Sequence, residues 1–131
     1  RRGLTRVKEL LENGNNVAFA QDSIADYWYP LGNGNMMNIL DHGIHLAHYT
    51  HIDEINKAFD FITYNGANIM RVNDVYGIEA GKPANFIVVD AQDPYEAIRE
   101  RSEVLASIRN GEYLFKREPR KNEIEIDFLK Q

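Results

Sequence analysis

The sequence predicts an α/β unit over residues 1–71 followed by a mostly β unit over residues 72–131, and three observations carry that division. Apolar residues at helical spacing open the chain and pass through a tight turn into a short apolar run, the order helix, turn, strand. Near the other end, two runs rich in strand-forming residues flank Asn110-Gly111, a hairpin signal. Between them the texture changes after Arg71, where helical spacing gives way to strand patterns.

From Thr5 to Asn13, Val7, Leu10 and Leu11 fall on one helical face among Lys8, Glu9 and Glu12, and Gly14 is placed to cap the C-terminus. Asn16 to Asp22 then reads as a buried strand of a parallel sheet, with Asp22 at its C-terminal end. Ser23 to Asn35 is dense in aromatic, Gly and Asn residues and predicts an irregular loop of functional length. Met37, Leu40, Ile44 and Ala47 predict a helix over Met36 to Tyr49. Thr50 with Asp53 predicts the start of another that runs through Ile62 and is ended or kinked at Gly66. Beyond Arg71 follow a strand over Ala84 to Asp90, a short helix over Pro94 to Arg101, and the hairpin arms Val104 to Ile108 and Tyr113 to Lys116. An edge strand over Glu123 to Phe128 closes the pattern, its charged and apolar residues alternating.

Composition narrows the function classes. With 44% hydrophobic and 27% charged residues the chain is built like an ordinary globular protein. A net charge of −5 argues against a nucleic-acid partner, since phosphate-backbone affinity rests on clustered Lys and Arg. Cysteine is absent, which rules out disulfides and thiolate-held zinc within the chain and makes a cytoplasmic location the expectation. No apolar run approaches the roughly 20 residues that span a bilayer, so no membrane partner is expected. The chain opens Arg1-Arg2-Gly3 without an initiator methionine and enters a helical pattern almost at once, so its start is expected to be cut from something longer.

Asp22 is the first chemical candidate. An acid at the C-terminal end of a buried parallel strand, followed by a long aromatic loop, occupies the place where α/β barrels put catalytic groups. Such a carboxylate can bind a divalent metal and accept a proton from metal-bound water, or it can cap a helix or close a turn. His42, His45, His48 and His51 are evenly spaced by three, but three residues advance a helix by about 300°, so the first and last face nearly opposite sides. That geometry favours a structural or solvent-exposed role over a shared metal. Tyr27, Trp28 and Tyr29 can form a stacking wall for a flat heterocycle or tie the loop down by packing. No phosphate-binding loop and no Gly-x-Ser-x-Gly elbow is present.

Three segments resemble cytosine deaminases of the amidohydrolase superfamily: Arg2 to Leu11 leading into the run that ends at Asp22, Asp26-Tyr27-Trp28-Tyr29-Pro30-Leu31-Gly32 with Gly34-Asn35-Met36, and Tyr76 to Val89 with its Gly81-Lys82-Pro83-Ala84-Asn85 core. The second is the most specific. The resemblance implies the C-terminal part of a metal-dependent (β/α)8 barrel over 1–71, followed by strands of the associated β-sandwich over 72–131. It implies one divalent metal ion, iron or zinc, with Asp22 as the last ligand and as proton acceptor, Trp28 beside a small-molecule pyrimidine substrate, and assembly into a homo-oligomer. The deaminases compared carry His-Asp-Asp where this chain has Gln21-Asp22-Ser23, and Pro at Tyr27. Ser23 is therefore the candidate specificity residue, and amino-pyrimidines other than cytosine or amino-triazines stand as alternative substrates. The remaining ligands and the acid-base glutamate are missing from this chain, so on its own it is expected to be inactive and not to retain the metal. A non-catalytic assembly module, with Asp22 only a turn residue, is the reading from a different class.

Overall fold

A computed structural model of the chain describes residues 3–121. The order of elements is α1 (Val7–Glu12), α2 (Met36–Leu46), α3 (Ile52–Lys57), a 3-10 segment (Ala58–Ile62), α4 (Tyr64–Met70), β1 (Phe86–Val89), α5 (Pro94–Arg99), β2 (Val104–Arg109) and β3 (Glu112–Lys116). The edge strand expected over Glu123 to Phe128 lies outside the described residues.

Gly14 ends α1 as its position predicts. At φ +74 its N–H donates to Leu11 O while Asn15 N–H reaches Leu10 O, the paired bonds of a Schellman motif. Asn35 opens α2, its side-chain oxygen accepting from Met37 N–H at 3.0 Å, and the helix buries Met37, Leu40 and Ile44. The next helix starts one residue later than the Thr50 and Asp53 pattern predicts. His51 is the N-cap, and the Glu54 carboxylate accepts its backbone N–H at 3.0 Å.

Helix α3 tightens into the 3-10 segment, and the break comes at Thr63 rather than Gly66. Thr63 holds φ −129 and ψ −99, with its hydroxyl donating to Phe59 O at 2.7 Å. That back-bond satisfies a carbonyl freed where the helix stops. Gly66 sits inside α4, which ends at Arg71 in the left-handed conformation.

Among the described residues the segment Asn16 to Asp22 pairs with no strand. Its backbone groups find helical partners instead: Phe19 N–H donates to Phe61 O at 2.8 Å and Val17 O accepts from the Asn65 side chain at 2.8 Å. In return Asn16 donates its side-chain amide to Asn65 O at 2.9 Å. A parallel ladder needs a neighbouring strand backbone, and none of the described segments runs beside this one.

The second half builds a three-stranded antiparallel sheet in the order β1-β2-β3. Phe86 faces Ile108 and Val88 faces Ala106, while Ser107 faces Phe115 and Arg109 faces Glu112. Asn110 and Gly111 both take positive φ, 50° and 83°, the backbone a two-residue hairpin requires. Asp93 caps α5 by accepting Glu96 N–H at 2.8 Å, with Pro94 at the first helical position.

The core gathers Val7, Leu40, Ile44, Ala58 and Phe61 with Ile98, which α5 brings across from the later half to pack beside α3. Phe19, Val17, Tyr49 and Ile55 close its edges. The sheet contributes far less burial: of its residues only Ala106 and Ile108 are buried, and Phe86, Ile87 and Val88 of β1 stay open.

Candidate functional site

The stretch Gln21 to Gly32 carries the candidate site residues, and its shape follows from two local devices. The first is an Asx turn. Asp26 Oδ1 accepts the backbone N–H groups of Trp28 and Tyr29, both at 2.9 Å, which pins the tip of the loop. Those bonds hold the Asp26 carboxyl below its ordinary pKa, chiefly through Tyr29 N–H, with the Ser23 hydroxyl and Trp28 N–H adding to it.

The second device is close approach. Gly32 is buried in an otherwise open loop. A Cβ placed on it would overlap the backbone oxygen of Ser23, come within 2.6 Å of Gln21 Nε2 and within 3.1 Å of Ile24 Cα. The two ends of the loop therefore lie against each other, and only glycine fits the contact.

Asp22 stands at the base of this loop with its side chain exposed and with no hydrogen-bond partner among the described residues. Ser23 beside it is half-buried. Trp28 and Tyr27 are carried at the tip, 79% and 96% exposed, with their rings edge to face at 6.4 Å. Packing does not tie these two rings down, as one reading of the sequence allowed. Both stand out from the protein, available to a partner surface or a flat ligand.

The histidines do not converge. His42 Nδ1 lies 3.0 Å from Asn38 O and His45 Nδ1 2.8 Å from Asp41 O, each within its own helix. His48 follows α2 at positive φ and His51 is a helix cap. Among the described residues no group of three or more His, Cys, Asp or Glu side chains could hold a metal ion. The Asp22 carboxylate is a hard oxygen donor of the kind divalent metals take, and a complete site needs more ligands than the described residues bring together. The close approach of Gly32 to Ser23 and Gln21 has no counterpart in the sequence reading, where both residues figure only in the resemblance; a buried glycine among polar loop residues leaves no local pattern.

The amidohydrolase family profile matches residues 1–115. The chain belongs to the amidohydrolase family. Amidohydrolases are generally metal-dependent hydrolases. Among solved structures, this amidohydrolase chain is similar to the 5-methylcytosine deaminase of Klebsiella pneumoniae liganded with 5-fluorocytosine. The likeness reaches 48% identity and a TM-score of 0.88 over 95% of this chain. The same enzyme liganded with phosphonocytosine gives a TM-score of 0.87. Among curated proteins it is 36% identical to the N-isopropylammelide isopropyl amidohydrolase of Pseudomonas sp. strain ADP over 86% of the chain. The chain spans only 30% of the length of the Klebsiella enzyme and 28% of the Pseudomonas one.

Proposed function

We propose that this chain is the C-terminal portion of a metal-dependent deaminase that converts cytosine to uracil and ammonia. The observation that carries the reading is the exposed Asp22 carboxylate at the foot of a pinned loop that presents Trp28. The 48% identity to a 5-methylcytosine deaminase supports it.

In this reading residues 1–71 complete a (β/α)8 barrel and residues 72–131 belong to a β-sandwich. Asp22 holds one ligand position of a single iron or zinc ion and takes a proton from the attacking water. When bound, such a metal would make hydroxide available near neutral pH. The Trp28 ring covers one face of the pyrimidine, excluding water and holding the amidine carbon in line. Ser23 borders the pocket where a second carboxylate would otherwise stand, and so bears on which amino-pyrimidine is accepted. Water adds its oxygen to the ring carbon, the C–N bond breaks, and the amino group leaves as ammonia with the transferred proton. The enzyme works in the cytoplasm as a homo-oligomer, and the isolated chain neither turns over substrate nor keeps the metal.

The second reading is a hydrolase of the same family acting on another amino-pyrimidine or an amino-triazine. Its support is the 36% identity to the N-isopropylammelide isopropyl amidohydrolase. The test is ammonia release by the metal-loaded full-length protein, beside Asp22→Asn, across cytosine, 5-methylcytosine and amino-triazines. Release from cytosine that vanishes in the variant supports the first reading, and release from a triazine alone supports the second. Silence across the panel, or activity indifferent to Asp22→Asn, overturns both and leaves an assembly module.

A further inference from the structure

We infer that Gln21 and Gly32 form a latch that sets the position of the Trp28 arm, with Gln21 a positioning residue for the pocket beside Asp22. The kinetic part of the inference rests on the deaminase reading; the latch itself does not.

Gly32 is buried while Leu31 before it is 80% exposed and Asn33 after it is open. Its φ is not in the left-handed region, so the position does not call for glycine on conformational grounds. The need is space: a methyl group there would overlap the backbone oxygen of Ser23, which cannot give way, and would also press on Ile24 Cα at 3.1 Å and on Gln21 Nε2 at 2.6 Å, the end of a side chain that can move. The segment from Ser23 to Gly32 is thus a compact loop with touching ends. Inside it, Asp26 ties down Trp28 and Tyr29, and Gly32 N–H donates to Tyr29 O at 3.2 Å. With the interior fixed, the remaining freedom is a swing of the whole arm about its base. Gln21 occupies that base. Its Oε1 is buried and meets no donor among the described residues. A carboxamide that leaves an acceptor unmet is held by its packing against Gly32 rather than by a hydrogen bond through that atom. Its length then decides how far the arm stands from the Asp22 segment.

The experiment uses the metal-loaded full-length protein and follows chymotrypsin cleavage within residues 27–31, with metal content and steady-state kinetics alongside. Gly32→Ala and Gln21→Ala are expected to be cut about tenfold faster than the parent, with metal content unchanged. Gln21→Met, which keeps the length, is expected to restore resistance, and Gly66→Ala, with open space around it, to leave cleavage unaltered. On whichever amino-pyrimidine is turned over, the Ala variants raise KM with kcat nearly kept. Unchanged cleavage in both Ala variants overturns the latch, whether or not the protein deaminates anything. Faster cleavage with unchanged KM overturns the positioning role. If Gly32→Ala fails to fold, Gln21→Ala with Gln21→Met decides.

Discussion

Phe19 stacks on Phe61 with ring centroids 4.6 Å apart and planes 16° from parallel, and the same two residues share a backbone hydrogen bond of 2.8 Å. This pair carries the Asp22 segment, because it joins the run ending at Asp22 to the 3-10 segment and through it to the core. Phe61 also meets Tyr49 edge to face at 5.1 Å and is 3% exposed. Phe61→Ala is therefore expected to cost about 3–5 kcal/mol of stability by urea denaturation. A loss near zero would mean that the pair does not hold the segment.

Two glycines in helices should respond in opposite directions. A Cβ on Gly43 would lie 2.5 Å from Phe19 Cδ2 and 3.0 Å from its Cζ. Gly43→Ala is expected to destabilise by about 1–3 kcal/mol despite the better helix propensity of alanine. Gly66 in α4 faces open space, so Gly66→Ala should stabilise by about 0.5–1 kcal/mol. Denaturation midpoints of the two variants check both signs.

The loop tip should loosen in acid. The Asp26 carboxyl has its pKa lowered from 3.8, so its contribution to order is fully present above that value and is lost as pH falls through the lowered one. Amide exchange at Trp28 and Tyr29 should keep its protection at neutral pH and lose it only below about pH 3.8. In Asp26→Asn, which keeps an uncharged acceptor, the acid loss should disappear. Equal acid sensitivity in the variant would assign the effect to another group.

Lys82 ties the turn ahead of β1. Its ammonium donates to Tyr76 O at 2.8 Å and Asn73 O at 3.0 Å, lies 3.2 Å from the Glu79 carboxylate, and its side chain is only 19% exposed. Lys82→Met leaves both carbonyls without that donor and should cost about 1–3 kcal/mol. Lys82→Arg should recover part of it. A urea midpoint unmoved by Lys82→Met would show that water replaces the ammonium there.

Local chemistry made much of the fold readable in advance. Gly14 and Asn110-Gly111 each act through their own backbone or the next few residues and stand where their pattern places them, and the helices expected from Met36 and Pro94 begin at those residues. The helix break at Thr63 was not readable, because it depends on a hydroxyl turning back to Phe59 O rather than on the glycine nearby. Nor was the fate of Asn16 to Asp22. An apolar run states that a segment will be buried, not whether Asn65 and Phe61 or a neighbouring strand will take its hydrogen bonds.

The sequence by itself determined the helical and hairpin elements, the aromatic loop after Asp22, and the family resemblance of its motifs, since all of these lie in residue order. Only the tertiary structure decided that Ile98 crosses to the helical core, that Gly32 closes on Gln21 and Ser23, and that Tyr27 and Trp28 stand exposed at the loop tip. The first depends on packing between segments distant in the chain and the others on how tightly one loop closes on itself, and no residue pattern encodes how closely two backbones will approach.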